Sequence, residues 1–79
     1  MHSENRKVTN DLKIGSLIKD NGKIGIITNV IEQGKWTEGG LFTFTKNFEI
    51  NYADGQTTVM NEYSMERLIG NKTIVVLVY

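Results

Sequence analysis

Between residues 41 and 53 the apolar and polar side chains alternate almost without a break. Phe42, Phe44, Phe48, Ile50 and Tyr52 fall on one parity, and Thr43, Thr45, Asn47, Glu49 and Asn51 on the other. A period of two belongs to a strand with one buried face, so the pattern predicts a strand that turns its large side chains to a core. Lys46 interrupts the apolar set and marks a bend or a protruding end. The segment is long for one strand. It is therefore expected to bend, or to extend past the body of the protein as a hairpin with the end of the preceding strand, over residues 32–48.

Earlier in the chain, residues 15–19 and 23–33 read as two strands folded over Asn21-Gly22, a pair that tolerates the positive φ a tight hairpin requires. Ile24, Ile26, Ile27, Val30 and Ile31 supply β-branched bulk suited to a pleated surface. Gly25 marks a bulge or a close backbone approach. The even positions Ile24, Ile26 and Val30 compete with the odd positions Ile27 and Ile31, and a bulge near Gly25 lets both sets face inward. Residues 34–40 form a glycine-rich loop. Asp54-Gly55 signals a second hairpin into a strand over residues 56–60. Residues 61–69 read as a short helical turn, with Ser64 as its cap, stopped by Gly70-Asn71. Residues 73–79 are continuously apolar apart from Thr73, as in a strand buried on both faces. Residues 1–11 hold one apolar residue beyond Met1, Val8, and read as a flexible N-terminal tail. The packed domain then spans residues 12–79.

Five strands with one helical turn before the last define an all-β order. The chain resembles the small five-stranded SH3-like barrels, of the KOW and Tudor-like kind, with an extended β2–β3 hairpin. The resemblance rests on Ile14-Gly15-Ser16-Leu17-Ile18, Lys23-Ile24-Gly25-Ile26-Ile27, Tyr52-Ala53-Asp54-Gly55 and the turn from Tyr63 to Leu68. It is also similar to short barrels encoded by tailed phages and bacteria. That likeness implies a fold and leaves function to be argued from a site. The loop after strand two is larger than in these barrels, and the basic residues of a ribosomal KOW module are missing.

Composition narrows the chemistry. The chain has 79 residues, with 9 Lys plus Arg against 9 Asp plus Glu and no Cys. Disulfides and thiolate metal sites are excluded. The charges are interleaved, so the phosphate-neutralising cluster of a strong nucleic-acid binder is missing. The apolar runs fall well short of the roughly 20 residues that span a bilayer as a helix. The expected location is the cytoplasm, including that of an infected host cell.

His2 stands alone in the polar tail, where nothing fixes it as a general base. Glu62 and Glu66, four apart, can share a helix face, but as solvated charges rather than an acid–base pair. Asp20-Asn21-Gly22 lacks the remaining ligands of a calcium loop. The glycines around Trp36 lack the pattern and following helix of a phosphate loop. No catalytic residue, cofactor site or metal site is expected.

Trp36 is different. An indole on a glycine-rich loop either folds back onto the barrel as a lid, the reading its large area favours, or faces solvent as a partner contact. The aromatics Phe42, Phe44, Phe48, Tyr52 and Tyr63 can also be read as a Tudor-like cage for a methylated cation. The shared parity of the first four reads better as core, which leaves Tyr63 open.

The expected function is a small non-catalytic interaction module that binds protein partners or itself. The alternative is a weak nucleic-acid-binding domain. The candidate partner-binding residues are Lys35, Trp36, Leu41, Lys46 and Tyr63. Self-association is expected because the strand over residues 73–79 has no charged residue after Lys72 to guard its edge.

Overall fold

The computed structural model describes residues 8–79; His2 and the rest of residues 1–7 lie outside the described residues. A 3₁₀ turn, Val8–Asp11, precedes five strands: β1 (Leu17–Asp20), β2 (Lys23–Trp36), β3 (Phe42–Tyr52), β4 (Thr57–Asn61) and β5 (Ile74–Val78). One helix, α1 (Glu62–Gly70), joins β4 to β5. The strands form one antiparallel sheet in the order β4-β3-β2-β1-β5. The all-β expectation and the long β2–β3 hairpin are both present.

The turns follow from residues that accept positive φ. Asn21 and Gly22 have φ of 50° and 88°, the left-handed pair that continues strand twist through a two-residue connection. The other two hairpins share one geometry. Gly55 N–H donates to the Tyr52 carbonyl and Tyr52 N–H to the Gln56 carbonyl; Gly40 and Thr37, with Thr37 and Leu41 as acceptors, repeat this at the tip of β2–β3. Gly55 and Gly40 have φ of 92° and 83°. Each connection is a turn closed by a left-handed glycine, the usual form of a hairpin loop one residue longer than the tightest.

The competition between parities in β2 is resolved by a bulge, at Thr28 rather than at Gly25. Gly25 pairs with Tyr52 and Ile27 with Ile50; the register then shifts, and Asn29 pairs with Glu49 and Val30 with Phe48. The extra residue moves the inward set from odd to even positions, so Ile27 is fully buried and Val30 packs on the core while Ile24 and Ile26 stay about 40% exposed. Gly25 is instead a close approach: a Cβ there would lie 2.8 Å from Ile50 Cγ2 and 3.0 Å from Tyr52 Cδ1.

The core is Leu12, Ile18, Ile27, Phe48, Ile50, Tyr52, Met65 and Ile74. Helix α1 contributes Met65, with Leu68 and Ile69 packed beside it. The helix has nine residues, more than the single turn expected, and its cap is Asn61 rather than Ser64. Asn61 Oδ1 accepts from Ser64 N–H at 2.8 Å. An Asn side chain at this position satisfies a donor that the first helical turn cannot.

Two further expectations are corrected. The flexible tail does not extend to Asp11. Thr9 is fully buried, and Glu66 Oε2 accepts from both its N–H at 2.8 Å and its hydroxyl at 2.7 Å, which docks Val8–Asp11 on α1. β5 is not buried on both faces. It is an edge strand, with Ile74 inward and Val75 and Leu77 about half exposed. Its apolar run resembled a central strand because both kinds carry β-branched residues; only neighbour count separates them, and pattern does not record that.

Candidate functional site: the aromatic face of the β2–β3 hairpin

Beyond Glu32 and Lys46, which pair across the ladder, the β2–β3 hairpin continues through Gln33↔Thr45, Gly34↔Phe44, Lys35↔Thr43 and Trp36↔Phe42. Four residues at about 3.4 Å each carry the tip roughly 14 Å past that pair. Even positions face the same side as Phe48 and Ile50. The cover over that side ends where Glu62, the first residue of α1, approaches the backbone of Lys46 (Oε1 to N, 3.5 Å). Past this point the core-facing side of the hairpin faces solvent.

Three aromatic rings occupy that side. Trp36 packs edge-on to Phe42 with centroids 5.0 Å apart, and Phe42 edge-on to Phe44 at 4.9 Å. Such T-shaped contacts are favoured by the charge distribution of the rings. The rings remain open to water: Trp36 is 71% exposed, Phe44 66% and Phe42 45%. Trp36 is therefore not a lid, and Phe42 and Phe44 are not core. Their parity is the core parity, but among the described residues nothing covers them.

Gly34 makes the arrangement possible. It stands opposite Phe44, and the Phe42 ring lies across it so closely that a Cβ would meet Phe42 Cζ and come within 2.7 Å of Phe42 Cε2. The opposite side of the hairpin is polar, lined by Gln33, Lys35, Thr45 and Asn47. At the foot of the aromatic side, a shallow depression is formed by Leu12, Ile14, Val30, Glu32 and Lys46 with Lys13. Ile14 is 62% exposed there.

The expected contact residues divide accordingly. Trp36 lies on the aromatic side and Leu41, 69% exposed, at the hairpin tip. Lys46 sits at the foot, half-buried, opposite Glu32. Lys35 projects on the polar side. Tyr63, 62% exposed, belongs to α1 and not to the hairpin. Phe42 and Phe44 are the residues that sequence reasoning missed. The available signal was the pairing of Phe44 with a glycine, which places a large ring against a position with no side chain. No aromatic cage is assembled, because Phe48 and Tyr52 are buried.

A second cluster surrounds Tyr52. Its hydroxyl donates to Asp20 Oδ2 at 2.6 Å. Lys23 Nζ lies 4.9 Å from the ring centroid, 3.0 Å from Asp54 Oδ2 and 3.0 Å from Gln56 Oε1. Burial, then the hydrogen bond to Asp20 and the nearby Asp20 and Asp54 charges, push the Tyr52 hydroxyl well above its ordinary value. Asp54 is held below the usual carboxylate range, first by the Gln56 amide and then by Lys23. Held in its neutral form, Tyr52 is an anchor for the strand ends and not a proton carrier near neutral pH. Among the described residues no group of His, Asp and Glu side chains is placed to hold a metal ion, and no helix is long and apolar enough to cross a membrane.

Comparison of the chain with protein-family models, curated proteins and solved structures gives no match.

Proposed function

We propose that this chain is a small non-catalytic interaction module, built on an SH3-like barrel and acting in the cytoplasm, that binds a protein partner with the aromatic face of its β2–β3 hairpin. The strand order β4-β3-β2-β1-β5, with a helix before the last strand, supports the barrel reading. The observation that carries the functional reading is the exposed Trp36–Phe42–Phe44 stack. Apolar rings held in solvent by a glycine-backed ladder contribute little to folding, and Trp is prominent among residues that dominate protein interfaces. Glu32 and Lys46 border the rings at the foot of the same side, giving an apolar centre with a polar edge.

Weak nucleic-acid binding is the second reading, because exposed rings can stack on bases. The charge pattern favours protein: Lys46 stands opposite Glu32 in the ladder, and the whole chain is formally neutral. Trp36 is the only tryptophan, so its fluorescence reports contact directly. The test is capture of proteins from a cell extract on immobilised wild type and on Trp36→Ala and Phe44→Ala, alongside titration of Trp36 emission with single-stranded oligonucleotide. Proteins retained by wild type and lost with both variants, at preserved melting temperature, support the module. Identical retention by all three removes the hairpin as the site. An oligonucleotide response that collapses with rising salt selects the second reading.

A further inference from the structure

The other unguarded surface lies at the opposite end of the strand order. Among the described residues β5 is hydrogen-bonded to β1 alone, and Ile74-Val75-Val76-Leu77-Val78 contains no charge, proline or glycine. Edge strands in stable monomers are normally interrupted by such residues, because open N–H and C=O groups template pairing with another chain. The remaining edge, β4, reads Thr57-Thr58-Val59-Met60-Asn61 and runs directly into α1. The two edges are thus unlike in chemistry.

The direction of the open groups follows from one hydrogen bond. Asn21 N–H donates to the Thr73 carbonyl at 2.9 Å. The ladder continues in the same register through Asp20↔Ile74, Lys19↔Val75 and Ile18↔Val76. In an antiparallel pair the polar groups of successive residues alternate between the two sides of the strand. Thr73 and Val75 therefore turn theirs to β1, and Ile74 and Val76 turn theirs to the open edge. The register then shifts, with Leu17 opposite Val78, so the regular part of the edge is centred on Val75.

We propose that two copies of this chain pair through β5, antiparallel across a two-fold axis at Val75. Ile74 of each copy then bonds Val76 of the other, and all four open groups on each strand are satisfied. Val75 meets its counterpart on the outer face of the sheet, where it is 48% exposed beside Leu77 at 47%. On β1 the residue opposite Val75 is the exposed Lys19, and Leu17, with Ile24 and Ile26 of β2, lies around it on the same face, so the axis joins two apolar patches that each contain one lysine.

The occupant is a second copy and not a foreign strand. Strand addition selects foreign sequences through side-chain pockets or charges; the strand itself carries no charge, and Lys19 on β1 and Lys72 just before β5 line a depression beside Val75. Its own sequence is the matching one. Pairing about Val75 sets Lys72 opposite Val78 and not opposite another Lys72, so no like charges face each other. The two-fold arrangement consumes both β5 edges and closes, leaving only the polar β4 edges outside.

The test uses the full chain. Sedimentation at ~100 µM is expected to give a dimer, in the range usual for modest interfaces. The backbone amides of Ile74 and Val76 are expected to exchange at least about tenfold more slowly at that concentration than after dilution to the monomer. Val75→Lys, which sets two ammonium groups across the axis at an exposed position, is expected to give a folded monomer. Trp36→Ala is expected to remain dimeric, which separates this seam from the hairpin. A monomer at ~100 µM overturns the proposal. So does a dimer in which Ile74 and Val76 exchange independently of concentration, a dimeric Val75→Lys, or a monomeric Trp36→Ala. Should Val75→Lys fail to fold, wild-type exchange at these two amides decides.

Discussion

Gly34 stands directly opposite Phe44 in the β2–β3 ladder, and the rings of Phe42 and Phe44 fill the space where its side chain would be. The glycine is there for close approach, since its φ lies outside the left-handed range. Alanine in a strand normally gains about 0.5–1 kcal/mol over glycine through lower unfolded-chain entropy. Gly34→Ala is therefore expected to change stability by less than about 1 kcal/mol while displacing both rings. The ring protons of Phe42 and Phe44 should shift in the proton spectrum, and Trp36 emission should change. Unchanged ring resonances would mean that the stack does not rest on Gly34.

Gly25 poses the same steric question in a different setting. Its imagined Cβ lies 2.8 Å from Ile50 Cγ2 and 3.0 Å from Tyr52 Cδ1, both on buried side chains. Here nothing can swing into solvent. Gly25→Ala is expected to cost about 1–3 kcal/mol, as overpacked cores do. The difference between the two variants in urea midpoint measures how far the packed body extends along the hairpin. Equal midpoints would contradict the boundary drawn at Glu32 and Lys46.

That boundary is also where the sequence stops being legible. The turns at Asn21-Gly22 and Asp54-Gly55, the strand periodicity and the long hairpin can all be read from local chemistry. Each depends on backbone preferences a few residues wide. The exposure of Phe42 and Phe44 cannot be read this way. Their parity matches Phe48 and Ile50, and only the place where α1 begins decides which of the four are covered. β5 fails for a related reason, since its apolar run is silent about having one neighbour. Thr9 gives no hydrophobic signal at all, because it is held by two hydrogen bonds to Glu66, which is 57 residues away. Contacts of that span are a property of the assembled sheet.

Tyr52 and Asp20 provide a pH test. The folded state favours the neutral Tyr52 hydroxyl, through burial first and then the hydrogen bond to Asp20. A raised folded value gives stability that is fully present below the ordinary phenol value of 10.0 and is lost as pH climbs above it toward the folded value. Wild type should therefore lose stability between roughly pH 10 and the alkaline limit of measurement. Tyr52→Phe should start about 1.5–3 kcal/mol less stable at pH 8, for the loss of a hydrogen bond to a charged group. Its alkaline decline should be shallower. Parallel declines in the two proteins would show that Tyr52 is not the group responsible.

Glu66 fixes the chain that leads into the first core residue. It accepts from the N–H and the hydroxyl of fully buried Thr9, and Leu12, also buried, follows three residues later. Two substitutions separate the parts of this contact. Thr9→Val keeps the volume and removes one donor, so Glu66 still holds the backbone N–H; a loss of about 1 kcal/mol is expected. Glu66→Ala strands both donors in a buried position, and about 1–3 kcal/mol is expected for each group left without a partner unless the segment detaches to reach water. Detachment has its own signature. The Thr9 amide would exchange rapidly, and a protease would cut between Val8 and Lys13, while the sheet amides stay protected. Equal urea midpoints for wild type and Glu66→Ala, with Thr9 still protected, would show that Leu12 alone holds the segment in place.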